Sequence, residues 1–121
     1  MISAQIMLLE IAERELEPDI TLVEMTGTLA LGRESQRIES LIDDLVKRGS
    51  LRVIIDISGV GYLDSAGIGL LALAAGKLKE SGAKFALVAP GGGRVRQLLS
   101  LTQMTTIWNV CPTIEAAKQS L

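Results

Sequence analysis

The residues best placed for chemistry form one short run, Tyr62-Leu63-Asp64-Ser65-Ala66-Gly67-Ile68-Gly69. It follows an apolar stretch of strand character and opens a long apolar helical stretch, so Asp64 or Ser65 falls where a helix begins. Either side chain can cap that helix by accepting hydrogen bonds from its first free amides. On a plain reading the run is a cap followed by small residues that permit close packing. A functional reading starts from the same geometry. A hydroxyl at a helix N-terminus lies at the surface, beside unpaired N–H groups and the positive end of the dipole. A phosphate added there gains donors without unfolding the domain. Gly67 and Gly69 are expected to leave the approach to Ser65 open. Phosphorylation would then turn a neutral surface strongly anionic and act as a binding switch.

Other chemistry is scarce. The 121 residues include no histidine, which removes the usual general base and the commonest metal ligand. The single cysteine, Cys111, rules out an intrachain disulfide and reads as a small, partly buried hydrophobe near a strand end. Without a histidine it makes neither a standard zinc site nor a Cys–His nucleophile, so no metal and no cofactor is expected. Asp56 ends an apolar run, as the phosphoacceptor of a receiver domain would. The first strands lack the acidic pair that would hold magnesium, and Asp56 is expected to cap the strand's exit instead. Gly91-Gly92-Gly93-Arg94 precedes a short helix and offers backbone amides to a phosphate. It lacks the spacing and the Lys-Ser/Thr ending of a P-loop, and a flexible loop is the simpler account. The chain is not expected to be an enzyme.

Bulk properties narrow the partners. Twelve basic and 14 acidic residues give a net charge of −2, which provides no electrostatic footprint for nucleic acid and no polybasic membrane patch. With aromatic residues at 2%, the core must be built from Leu, Ile, Val and Ala. The length suits one domain, residues 1–121, large enough to bury its own core. The opening MISAQIMLLEIAERELE lacks a basic leader and acquires acids too early for a secretory signal. The longest uncharged run, Ser65 to Gly76, is too short to span a bilayer. A cytoplasmic protein without membrane insertion is expected.

The elements that must position Ser65 follow from periodicity. Met7 to Arg14 and Ile20 to Thr26 read as strands, with a turn over Glu15–Asp19 short enough for an antiparallel hairpin. Gly27 and Gly32 bracket an expected loop. From Arg33 to Arg48 the apolar residues Ile38, Leu41, Ile42, Leu45 and Val46 fall at helical spacing, and Gly49 is the stop. Leu51 to Ile57 is a nearly continuous apolar run suited to a strand covered on both faces, and Ser58-Gly59-Val60-Gly61 reads as a turn. A second helix runs from Ser65 to about Ser81, with Gly82 as its stop and its first half largely buried. Lys84 to Val88 is a strand, Arg94 to Leu101 a short helix, Thr106 to Val110 a last strand, and Thr113 to Ser120 a helix capped by Thr113. The order β-β-α-β-α-β-α-β-α predicts an α/β domain with a mixed sheet, an N-terminal hairpin and about four helices.

On these residues the chain resembles the STAS domain family, and within it the bacterial anti-sigma factor antagonists. The resemblance is carried by Ile54-Ile55-Asp56 and by Gly59-Val60-Gly61-Tyr62-Leu63-Asp64-Ser65-Ala66-Gly67-Ile68-Gly69-Leu70-Leu71. It continues through Gly82-Ala83-Lys84-Phe85, the loop before Val95-Arg96-Gln97-Leu98-Leu99, and the closing strand and helix. It covers the chain from about Met7 to its end. A D-S-[AS]-G-[IL]-G segment between such a strand and such a helix is a specific signal.

The resemblance implies a mechanism. Family members bind an anti-sigma factor that is itself a serine kinase, and so free a sigma factor for transcription. The kinase phosphorylates the first serine of the motif, here Ser65, and the modified antagonist lets go. A serine phosphatase of the PP2C type restores it. The resemblance also places a partner-binding surface around Thr28, Leu29, Asp64, Ser65, Gly67 and Ile68. The next motif position, often a second serine, is Ala66. The acid that many antagonists carry after the second strand is replaced by Ala30, within Leu29-Ala30-Leu31-Gly32. An alternative within the family is an accessory subunit of a lipid-transport ATPase, or a signalling scaffold without a sigma-factor circuit. Retention of Ser65 after Asp64 favours the antagonist.

Overall fold

The computed structural model describes residues 9–17, 19–29, 34–101 and 108–121. Its elements are β1 (Glu10–Glu17), β2 (Ile20–Leu29), α1 (Glu34–Lys47), β3 (Arg52–Leu63), α2 (Ser65–Glu80), β4 (Lys84–Val88), α3 (Gly93–Leu101), β5 (Val110–Cys111) and α4 (Ile114–Ser120). The strands form one sheet in chain order, β1-β2-β3-β4-β5. β1 and β2 make the antiparallel hairpin, and every later pairing is parallel. The mixed α/β fold expected from the sequence is therefore present.

Two-residue alternation divides the core. Val23 and Met25 of β2, Val53, Ile55 and Ile57 of β3, and Leu87 of β4 join the larger cluster, with Ile38, Ile42 and Leu45 of α1, Leu71 and Leu78 of α2, and Leu99 of α3. Ile20, Leu22, Ile54, Ala86, Val88 and Cys111 face the other way, where Ala117 of α4 closes over them. The continuous apolar run in β3 is thus covered on both faces, as a central parallel strand requires. Cys111 is a buried hydrophobe in β5, as its sequence context suggested.

Local signals set the helix ends. Ile38, Ile42 and Leu45 are each at most 1% exposed, which confirms the buried stripe of α1. At its C-terminus the Gly49 amide donates to Val46 O and the Ser50 amide to Leu45 O, with Gly49 at φ +75°. Gly82, at φ +89°, ends α2 by the equivalent pair of bonds, Gly82 to Lys79 O and Ala83 to Leu78 O. Thr113 caps α4 by accepting from the Ala116 amide. Arg48, just past α1, donates to Glu13 of β1 and pairs with Asp44. That bond to Glu13 is the largest cause holding its guanidinium above its ordinary value, and it outweighs desolvation.

Several boundaries differ from the sequence expectation. β2 does not stop at Thr26 but continues through Gly27 to Leu29, because Gly27 takes φ +105° at an irregularity of the ladder and lets pairing resume. β3 likewise runs through Ser58-Gly59-Val60-Gly61, which read as a turn. A second register shift sets Thr26 opposite Gly59, where a Cβ would collide with the Thr26 side chain, so this glycine serves close strand packing. Asp56 consequently lies inside β3 rather than at its exit; it is 9% exposed and accepts from both the amide and the hydroxyl of Ser58. β1 extends to Glu17. The last strand is confined to Val110–Cys111, with Trp108 and Asn109 in a turn before it. The first half of α2 is buried on one side only: Gly69, Ala72 and Leu73 are exposed. Met7, Leu8, Ala30 to Arg33, Thr106 and Ile107 lie outside the described residues.

Candidate functional site

The long β2–β3 ladder determines where Ser65 stands. Thr28 pairs with Tyr62 and Leu29 with Leu63, so the two strands reach the same edge of the molecule together. β3 then passes through a single residue, Asp64, into α2. Asp64 is the N-cap: at φ −114° and ψ −175° it is extended, and its Oδ1 accepts from the Gly67 amide at 2.8 Å. Its carbonyl accepts from the Ile68 amide at 2.9 Å. The cap is therefore Asp64, and Ser65 is the first residue of the helix proper.

Ser65 is exposed there. The amides of Ser65 and Ala66 belong to the first turn, which by helix geometry has no intrahelical acceptors. Fixed donors and the positive end of a 16-residue helix thus stand beside the hydroxyl. The Asp64 carboxylate next to it works in the opposite sense, since a phosphate on Ser65 would add about 1.5 to 2 negative charges beside an existing one. The modified edge would be a concentrated anionic patch.

Gly67 does something other than clear the approach to Ser65. It is buried, and a Cβ on it would collide with the Leu29 carbonyl oxygen and lie 2.7 Å from Leu63 Cδ1. Its lack of a side chain lets the first turn of α2 rest on the end of β2. Gly69, by contrast, opens to solvent, with nothing within 4 Å of an added Cβ.

Thr28, Leu29, Asp64, Ser65, Gly67 and Ile68 are thus brought together at the carboxyl ends of β2 and β3 and the first turn of α2. Their side chains divide by burial. Leu29, Gly67 and Ile68 are buried and hold the edge in shape; Thr28 and Asp64 are half-buried, and Ser65 faces solvent. Sequence reasoning missed the apolar neighbour that the surface does present: Tyr62 is 52% exposed. Tyr62 also borders a cleft of about 370 Å3 shared with Arg94, Val95 and Leu98 of α3. The lone tyrosine before Asp64 was a visible signal, but only the fold brings α3 beside it. Among the described residues no group of three or more acidic, cysteine or histidine side chains is arranged to hold a metal ion. No described helix is long and apolar enough to cross a membrane.

Comparison with known proteins gives a consistent result. A Thermotoga maritima protein provisionally named as an anti-sigma factor antagonist is 28% identical over 81 residues, spanning 67% of this chain and 71% of that one. The crystal structure of an anti-sigma factor antagonist from Mycobacterium paratuberculosis superposes with a TM-score of 0.79, at 23% identity and 93% coverage of both chains. The anti-sigma factor antagonist SpoIIAA shares the fold in its unphosphorylated form, with a TM-score of 0.73, 17% identity, and coverage of 92% of this chain and 95% of that one. The phosphorylated form of SpoIIAA, from Bacillus, gives 0.67 at 13% identity, with coverage of 93% and 100%. The STAS domain model matches residues 12–117, from β1 into α4 and across the whole Asp64–Ser65 edge. The chain belongs to the STAS domain family.

Proposed function

We propose that this protein is an anti-sigma factor antagonist: it binds an anti-sigma factor serine kinase, frees a sigma factor, and is switched off by phosphorylation of Ser65. The observation that carries the reading is the division of labour at the start of α2, where Asp64 caps the helix and Ser65 is left exposed at N1. A phosphate on Ser65 displaces no structural bond of the cap. It changes the charge of the edge while the fold stays as it is, which is what a reversible partner switch requires. The names of the relatives supply the class of partner.

The free edge offers Tyr62, the half-buried Thr28 and the uncharged Gly69 to the kinase, with Ser65 at the first position of α2. Phosphorylated, the same edge carries the phosphate next to Asp64, and like-charge repulsion and desolvation then oppose any contact made with the neutral form. A phosphatase of the PP2C type, acting on phosphorylated Ser65, returns the protein to the binding form. The protein itself acts by binding and performs no catalysis.

Calorimetric titration against an anti-sigma factor serine kinase, without and with prior incubation in ATP, tests this reading. Binding that is lost after ATP treatment of the wild type and kept by Ser65→Ala is the expected result. Absence of phosphate on Ser65, together with copurification with a transport ATPase subunit, would assign the domain to the other branch of the family.

A further inference from the structure

Two of the chain's three aromatic residues, its only tryptophan and its only phenylalanine, line one cavity far from Ser65. The cavity measures about 650 Å3 and lies between the C-terminal half of α2, β4 and the turn before β5. That volume falls within the range of small-molecule sites, roughly 300–1,000 Å3. Trp108 and Phe85 form its apolar wall, and Ala72 and Gly76 of α2 leave it open where larger side chains would fill it. An added Cβ on Gly76 meets nothing within 4 Å.

The charged side chains that line it have one sign. Lys79 and Lys84 both line the cavity and are exposed, and among the described residues no aspartate or glutamate lines it, the main-chain carboxylate of Leu121 being the one anionic group beside it. Among the described residues, Lys77 is paired with Asp43 and Lys118 with Glu115, whereas Lys79 and Lys84 form no ion pair. In a chain of net charge −2, two exposed cations against that single carboxylate leave a net positive charge beside an aromatic wall. It fits a ligand with an apolar body and an anionic head.

We propose that this cavity binds a small amphipathic anion, an apolar or aromatic body carrying one carboxylate or phosphate. Trp108 and Phe85 contact the body, and Lys79 and Lys84 receive the head. The site is separate from the Ser65 edge: Gly76 lies 11 residues further along α2, or about 16 Å at the helical rise. It does not depend on the sigma-factor reading, and its test needs no kinase.

The experiment titrates the full chain with dodecanoate, dodecyl phosphate and dodecanol below their aggregation limits, and follows the emission of Trp108, the sole tryptophan. Both anions are expected to give saturable one-to-one binding and to raise the thermal unfolding midpoint, with the alcohol at least tenfold weaker. Lys79→Ala combined with Lys84→Ala is expected to bring the anions to the level of the alcohol. Gly76→Leu, which suits a helix better than glycine, is expected to abolish binding of all three without lowering the unfolding midpoint. The proposal is overturned if acid and alcohol bind equally, if neither anion gives a saturable signal, or if Gly76→Leu binds like the wild type. It is also overturned if, without ligand, Trp108 emission and sedimentation both depend on protein concentration, since a second copy of the chain would then occupy the cavity.

Discussion

Asp64 and Ser65 are adjacent in sequence, and both are residue types that cap helices, yet the structure gives them separate roles. The Asp64 carboxylate holds the Gly67 amide while the Ser65 side chain lies in solvent. Asp64→Ala is therefore expected to cost about 1 kcal/mol of stability. Ser65→Ala should stay within about 0.5 kcal/mol of the wild type, because it removes an exposed hydroxyl and no cap. Urea unfolding of the two variants measures this difference, and equal losses would mean that the serine shares the cap. The motif itself was legible in the sequence, including its place between a strand and a helix. Which of the two side chains accepts the amide was not, since either reaches the same donors when the backbone shifts by one residue. Asp56 was legible as a residue type but not in its place, because Ser58-Gly59-Val60-Gly61 reads as a turn although β3 continues through it to Leu63.

At the scale of elements, the glycines separate what the sequence showed from what it concealed. Gly49 and Gly82 act as helix stops, as their positions after amphipathic runs implied. Gly27, Gly59 and Gly61 lie inside long strands, although glycine usually signals a turn. For Gly27 and Gly59 the reason is non-local: Gly59 faces Thr26 and Gly27 sits at an irregularity of the ladder, and neither neighbour is visible until β2 and β3 are paired. Gly67 is the same case for a helix. Gly67→Ala would drive a methyl group into the Leu29 carbonyl and is expected to cost about 1–3 kcal/mol, by forcing α2 away from the end of β2. Gly69→Ala, facing open space, should be neutral or slightly stabilising. Thermal unfolding of the pair checks this contrast, and a Gly67→Ala variant as stable as Gly69→Ala would show that the α2–β2 approach is loose.

For the whole molecule, strand order explains why one face carries most of the helices. Crossovers that step in one direction with one hand place their helices on the same side of a sheet. α1, α2 and α3 accordingly contribute to the larger cluster, and α4 alone closes the smaller one. The element order could be read from the apolar runs, but the division of Val53 and Ile55 from Ile54 between two cores depends on β3 being central, which only pairing reveals. Ile54→Ala is expected to cost about 2–5 kcal/mol although it belongs to the smaller cluster, because the residue is fully buried beneath α4; denaturant unfolding gives the value. The ends of β2 and β3 are anchored in this two-faced sheet, so a charge added at Ser65 is expected to change the surface of the molecule without changing its fold. The most direct test of the account is to incubate the protein with an anti-sigma factor serine kinase and ATP, locate phosphate by peptide mass spectrometry, and measure kinase binding on the same sample. The account predicts phosphate on Ser65, native stability and lost binding. Phosphate elsewhere, or full binding with Ser65 phosphorylated, would contradict it.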